Sequence, residues 1–171
     1  MAMHAQRTEP AARRALDTIA WATIFAGCLA LAGMAAVQAW QVFARYVLND
    51  SPGWTEPVAL LLLNTVMMLG AAIGVRMASH FRFGMVVLLM PPSIQRLVLA
   101  LMNALIAAIG VLLAWWGARL TIDGWDVAMA GTALPQGAML LPLCIGGVLM
   151  ALFALERIVT GAPQPIISEE D

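Results

Sequence analysis

The sequence predicts an all-α integral membrane protein of four transmembrane helices, with both termini cytoplasmic and a short interfacial segment between helices 2 and 3. Three observations predict it. Of 171 residues, 62% are apolar and only 11% charged, too few charges to cover a soluble domain. Cutting the chain at its charged residues leaves four uncharged runs, 18–44, 57–75, 97–118 and 127–155. About 20 apolar residues cross the hydrocarbon of a bilayer, so each run is long enough. The basic residues, all arginine, are unevenly placed. With the N-terminus inside, Arg7, Arg13, Arg14, Arg76, Arg82, Arg96 and Arg157 fall on cytoplasmic segments, and only Arg45 and Arg119 fall outside. Positive charge concentrates on the cytoplasmic side of membrane proteins. Trp40, Tyr46, Trp54, Trp115, Trp116 and Trp125 would then mark the outer interface, and Trp21 the inner one.

The elements follow in order. Residues 1–17 form a polar, arginine-bearing cytoplasmic tail. The apolar run behind it exceeds the about 7–15 residues of a signal-peptide core, which predicts an uncleaved first helix. Helix 1 is expected over 18–44. At about 1.5 Å per residue it reaches roughly 40 Å, so it should tilt or project from the membrane. Gln38 and Gln41 lie near its outer end. The outer loop 46–56 holds Asn49-Asp50-Ser51-Pro52-Gly53, a turn signal. Helix 2 is expected over 57–75, with Thr55 or Glu56 as cap and Pro57 in the first turn. It carries Asn64, expected to find an interhelical hydrogen bond, and Gly70-xxx-Gly74, a spacing that lets two helix backbones approach closely.

Residues 76–96 are more than a loop. Arg76, His80 and Arg82 precede eight apolar residues, 83–90, closed by Pro91-Pro92. Eight residues cannot span, which predicts a segment lying in or dipping into the inner interface. Ser93 would cap helix 3, expected over 94–118 with Asn103 in mid-span and Trp115-Trp116 at its outer end. Helix 4 is expected over 137–158. Pro142, followed by Gly146-Gly147, predicts a kink near its outer end. Glu156-Arg157 mark its inner boundary, and residues 160–171 form a cytoplasmic tail.

No span carries an ionisable residue at mid-membrane depth. Ion-coupled carriers, haem-binding bundles and intramembrane proteases all need such residues. Cys28 and Cys144 are single cysteines in apolar runs, without a metal-ligand spacing. The sequence predicts no catalytic residue, cofactor or metal. Ionic character is confined to the edges, at Arg45, Glu56, Arg76, His80, Arg82, Arg119 and Glu156, where charges either anchor to headgroups or dock a partner.

Taken in order, these features resemble the small membrane subunit of tripartite ATP-independent periplasmic (TRAP) transporters. The matching pieces are Arg45-Tyr46-Val47 with the turn behind it, Trp54-x-Glu56 opening helix 2, Gly70, His80-x-Arg82, the Pro91 stop and Pro142-x-x-x-Gly146. They span roughly residues 15–160. The chain departs from the family where acids often stand, at Pro57 and Gly84. The resemblance implies a non-catalytic helper that scaffolds a large multi-helix subunit containing the solute and sodium sites. It also implies docking of a periplasmic binding protein that delivers an organic acid or another carboxylate. Candidate partner contacts are Arg45, Trp54, Glu56, Gly70, Gly74, Arg76, His80 and Arg82, with membrane lipids as further partners and nucleic acid excluded. Two other classes compete with this reading. One is a membrane anchor of a quinone-linked enzyme, using His80 and Arg82; the other is a self-assembling small channel or carrier.

Overall fold

The computed structural model describes residues 11–50, 52–77 and 91–160. These comprise α1 (Ala11–Tyr46), α2 (Thr55–Arg76), α3 (Pro92–Asp123), a 3-10 turn (Gln136–Leu140) and α4 (Leu141–Thr160). A single bridge, Ala128 to Pro135, is the one extended pairing among the described residues. All four α-helices are long and apolar enough to cross a membrane. The interfacial segment expected at 83–90 lies outside the described residues, with His80, Arg82 and most of both tails.

The first three helices outrun the apolar stretches that announced them, whereas α4 begins well inside its own and passes only its end. α1 begins at Ala11, seven residues inside the expected tail. Ala-Ala-Arg-Arg-Ala-Leu are good helix formers, so charge ends the membrane-buried part without ending the helix. Its 36 residues reach about 54 Å, well beyond the roughly 30 Å hydrocarbon core. α1 ends in the predicted turn, where Asn49 takes a left-handed backbone (φ 55°) that asparagine tolerates. α2 starts at Thr55, with Trp54 at the cap position and no side-chain cap. The Thr55 hydroxyl instead donates back to the Pro52 carbonyl at 2.9 Å. Ser93 is not the cap of α3, because the helix starts one residue earlier, at Pro92 behind Pro91. Proline at the first position loses no hydrogen bond there. α3 continues to Asp123, past the expected end at 118, with Arg119 lying 5.7 Å over the Trp115 ring. The kink expected within helix 4 is a junction instead. The 3-10 turn ends at Leu140, and Pro142 is the second residue of α4, where a missing N–H costs nothing.

The helices pack side by side in the order α1, α2, α4, α3. Sequence neighbours α1/α2 and α3/α4 form antiparallel hairpins, and α2 and α4 join the hairpins running parallel. The α3/α4 seam is built from small residues. A Cβ on Gly110 would stand 2.7 Å from the Ala151 nitrogen, and one on Gly147 would stand 2.6 Å from the Ala114 nitrogen. Gly146, one position along, faces the other way: its Cβ would meet Met68 of α2 at 2.6 Å. The two adjacent glycines thus let α4 approach both neighbours. Gly27 and Gly33 of α1 receive Leu69 and Leu62 of α2 at ordinary contact distance.

The interior is correspondingly built mostly of small residues, with Phe153 the large exception. Ala20, Ala72, Val75, Ala107, Phe153 and Ala154 form the buried cluster, while Phe25, Leu29, Leu101 and Leu105 point outward. In lipid, large apolar side chains gain nothing by burial, whereas small ones allow close backbone packing. At the Trp-rich end the two hairpins are tied by their loops. Gly131 has φ +84°, and a Cβ there would come 2.5 Å from the Gly53 carbonyl oxygen. Glycine is required at this point both by conformation and by the close approach.

Candidate functional site

The charged candidates separate to the two ends of the helices, and the ends differ in kind. At the end where α2 and α4 finish, Arg76 is 5% exposed. Its Nε donates to Glu156 Oε2 at 3.3 Å and its Nη2 to Glu156 Oε1 at 3.4 Å; Nη2 also donates to Asp17 Oδ1. Its guanidinium carbon lies 5.4 Å from the Phe153 ring centroid. One side chain therefore ties α1, α2 and α4 together. Arg157 completes the knot: its Nη1 donates at 2.7 Å to the carbonyl of Val75, in the last turn of α2. A cation there also complements the negative end of the helix dipole.

At the Trp-rich end the charges stay open. Arg45, Trp54 and Glu56 are exposed. Arg45 and Glu56 line one groove of about 390 Å³ between α1 and α2, together with Gln38 and Gln41. Between the two ends, Asn64 donates from Nδ2 to the Met139 carbonyl at 2.7 Å, the interhelical bond that its position in an apolar run demanded.

The two glycines singled out in α2 behave unlike the seam glycines. Gly70 is exposed, and among the described residues no atom would lie within 4 Å of a Cβ placed there. It opens into an apolar groove of about 230 Å³ with Thr23, Gly27, Cys28 and Val66. Gly74 is half-buried. A second apolar groove, of about 540 Å³, runs over α2 from Ala22 and Ala26 of α1 to Pro142 and Ile145 of α4.

Among the candidate residues, the structure brings Arg45 and Glu56 to one groove, leaves Trp54 and Gly70 exposed, and turns Arg76 into the chain. His80 and Arg82 fall outside the described residues. Sequence reasoning left Asp17 in the tail and took Glu156 for a boundary mark. Asp17, Arg76, Glu156 and Arg157 all sit where an apolar run meets the same membrane edge, and opposite charges at equal depth were the available signal. The Gly110/Gly147 seam also carries small residues four apart, Gly147-xxx-Ala151 against Gly110-xxx-Ala114, a pairing that the packing reveals. No group of three or more His, Cys, Asp or Glu able to hold a metal occurs among the described residues.

Four apolar helices with charge only near their ends define a multi-pass membrane protein. The comparisons give its family. Residues 34–164 match the family described as "Tripartite ATP-independent periplasmic transporters, DctQ component". A curated relative, the sialic acid TRAP transporter small permease protein SiaQ of Vibrio cholerae serotype O1, is 29% identical over 129 residues, covering 75% of this chain and 74% of its own. The chain belongs to the small-permease (DctQ) family of TRAP transporters, as a transport component of the inner membrane.

Proposed function

We propose that this chain is the non-catalytic small subunit of an ion-gradient-driven uptake system. It scaffolds a large multi-helix transport subunit and helps seat a periplasmic solute-binding protein. The observation that carries this is the open Gly70 groove. The seam glycines of α3 and α4 are consumed by helix packing within the chain, whereas Gly70 presents bare backbone with none of the described residues against it. Bare backbone is the feature that admits a second helix at short range. The large subunit would pack there, and Gly74 would extend the contact. Family membership supports both partners, and the relative named for sialic acid supports a carboxylate solute. The coupling ion, sodium on this reading, belongs to the large subunit.

The arginine distribution supports cytoplasmic termini, which puts Trp54, Arg45, Glu56 and the 124–135 loop on the periplasmic side, where the binding protein arrives. His80 and Arg82 would face the cytoplasm beside the large subunit. The test is to tag the chain in its host, extract it in mild detergent and identify what accompanies it. A stoichiometric multi-span protein is expected, and Gly70→Trp should strip it away while leaving this chain in the membrane. A chain that emerges alone, or with a redox complex, rejects the assignment.

A further inference from the structure

The groove beside the C-terminal end of α1 has a composition that helix packing does not explain. Arg45 and Glu56 face it with opposite charges, yet no ion pair joins them among the described residues. Gln38 and Gln41 add amide donors on the same wall, while Met34 and Leu63 make the deeper part apolar. Trp40 and Trp54 are exposed at the same end of the helices. Tryptophan concentrates at the headgroup level of a bilayer, so the groove opens where headgroups lie and deepens where acyl chains begin. Its two charges suit a ligand carrying both signs.

We propose that this groove binds a phospholipid with a primary-ammonium, zwitterionic headgroup, of the phosphatidylethanolamine class. The phosphate accepts hydrogen bonds from the Arg45 guanidinium and the Gln38 and Gln41 amides. The ammonium donates to the Glu56 carboxylate, and one acyl chain descends past Met34 and Leu63. An anionic lipid such as phosphatidylglycerol satisfies Arg45 but leaves Glu56 without its cation. A quaternary choline headgroup has the charge and lacks the N–H donors.

The test uses the full chain in detergent, with thermal unfolding followed while each lipid is added. Phosphatidylethanolamine should stabilise at about fivefold lower concentration than phosphatidylglycerol, the scale of one exposed charge pair. Glu56→Gln should abolish that preference without changing the response to phosphatidylglycerol. Arg45→Gln should weaken the response to both lipids. Arg119→Gln, at the same end on α3, should leave both responses as they are. Equal responses to the two lipids in the parent chain would overturn the proposal, as would a preference that survives Glu56→Gln. Should Arg45→Gln fail to fold, Glu56→Gln still decides the matter, because Glu56 is exposed.

Discussion

Arg76 holds three helices with one guanidinium, so its partners differ in what their loss costs. Glu156 is as buried as the arginine, with side chains 3% and 4% exposed. Removing one member of such a pair leaves a charge in a poor solvent and typically costs about 3–5 kcal/mol. Glu156→Ala should therefore lower the unfolding midpoint markedly in detergent. Replacing both partners with apolar residues of similar size, Arg76→Met with Glu156→Leu, should recover most of the loss. Asp17 is 53% exposed, so Asp17→Asn should cost under about 1 kcal/mol. If the double variant is less stable than Glu156→Ala, the cluster does more than satisfy its own charges. Asn64 is a milder case: Asn64→Leu should cost about 0.6 kcal/mol, the average for an interhelical bond in a membrane protein.

At the level of whole helices, glycines sort by what stands opposite them. Gly110→Ala and Gly147→Ala each force a methyl against the backbone of the neighbouring helix, under 3 Å away. Each should cost about 1–3 kcal/mol, read as a lower midpoint for the isolated chain. Gly70→Ala should leave the stability unchanged or raise it by up to about 1 kcal/mol, because none of the described residues stands opposite it and alanine favours the helix. A large loss at Gly70 in the isolated chain would mean that its groove closes on this chain. The same contrast marks how far the sequence could be read. Four helices were evident because about 20 apolar residues in a row admit few alternatives in a bilayer. Helix ends were less evident, because polarity locates the membrane edge while the backbone continues through it, as in Ala11–Asp17 and Arg119–Asp123. Which glycine serves which contact was not evident at all. Gly70-xxx-Gly74 carries the familiar spacing, whereas the seam runs through Gly110 and Gly147, and only the packing order distinguishes them. Asp17 escaped for a related reason: its partner is 59 positions away on another helix.

Across the whole molecule, the packing order makes a direct prediction. Paired cysteines placed at facing positions should cross-link α1 to α2, α2 to α4 and α4 to α3, in a background lacking Cys28 and Cys144. Pairs placed on α1 and α3 should stay reduced within one chain. Efficient α1–α3 cross-linking in a single chain would replace the row with a closed bundle. The proposed orientation is tested separately: single cysteines near either terminus should resist a membrane-impermeant reagent in intact cells, and one in the 124–135 loop should react. Helices set side by side also have an architectural consequence. A polar solute crossing a membrane must be screened from lipid on every side, and this arrangement is one helix thick, so it can offer such a solute a single wall. The remaining walls must come from elsewhere. On the proposed reading the described helices brace a conduit, or form one side of it, and the large subunit completes it.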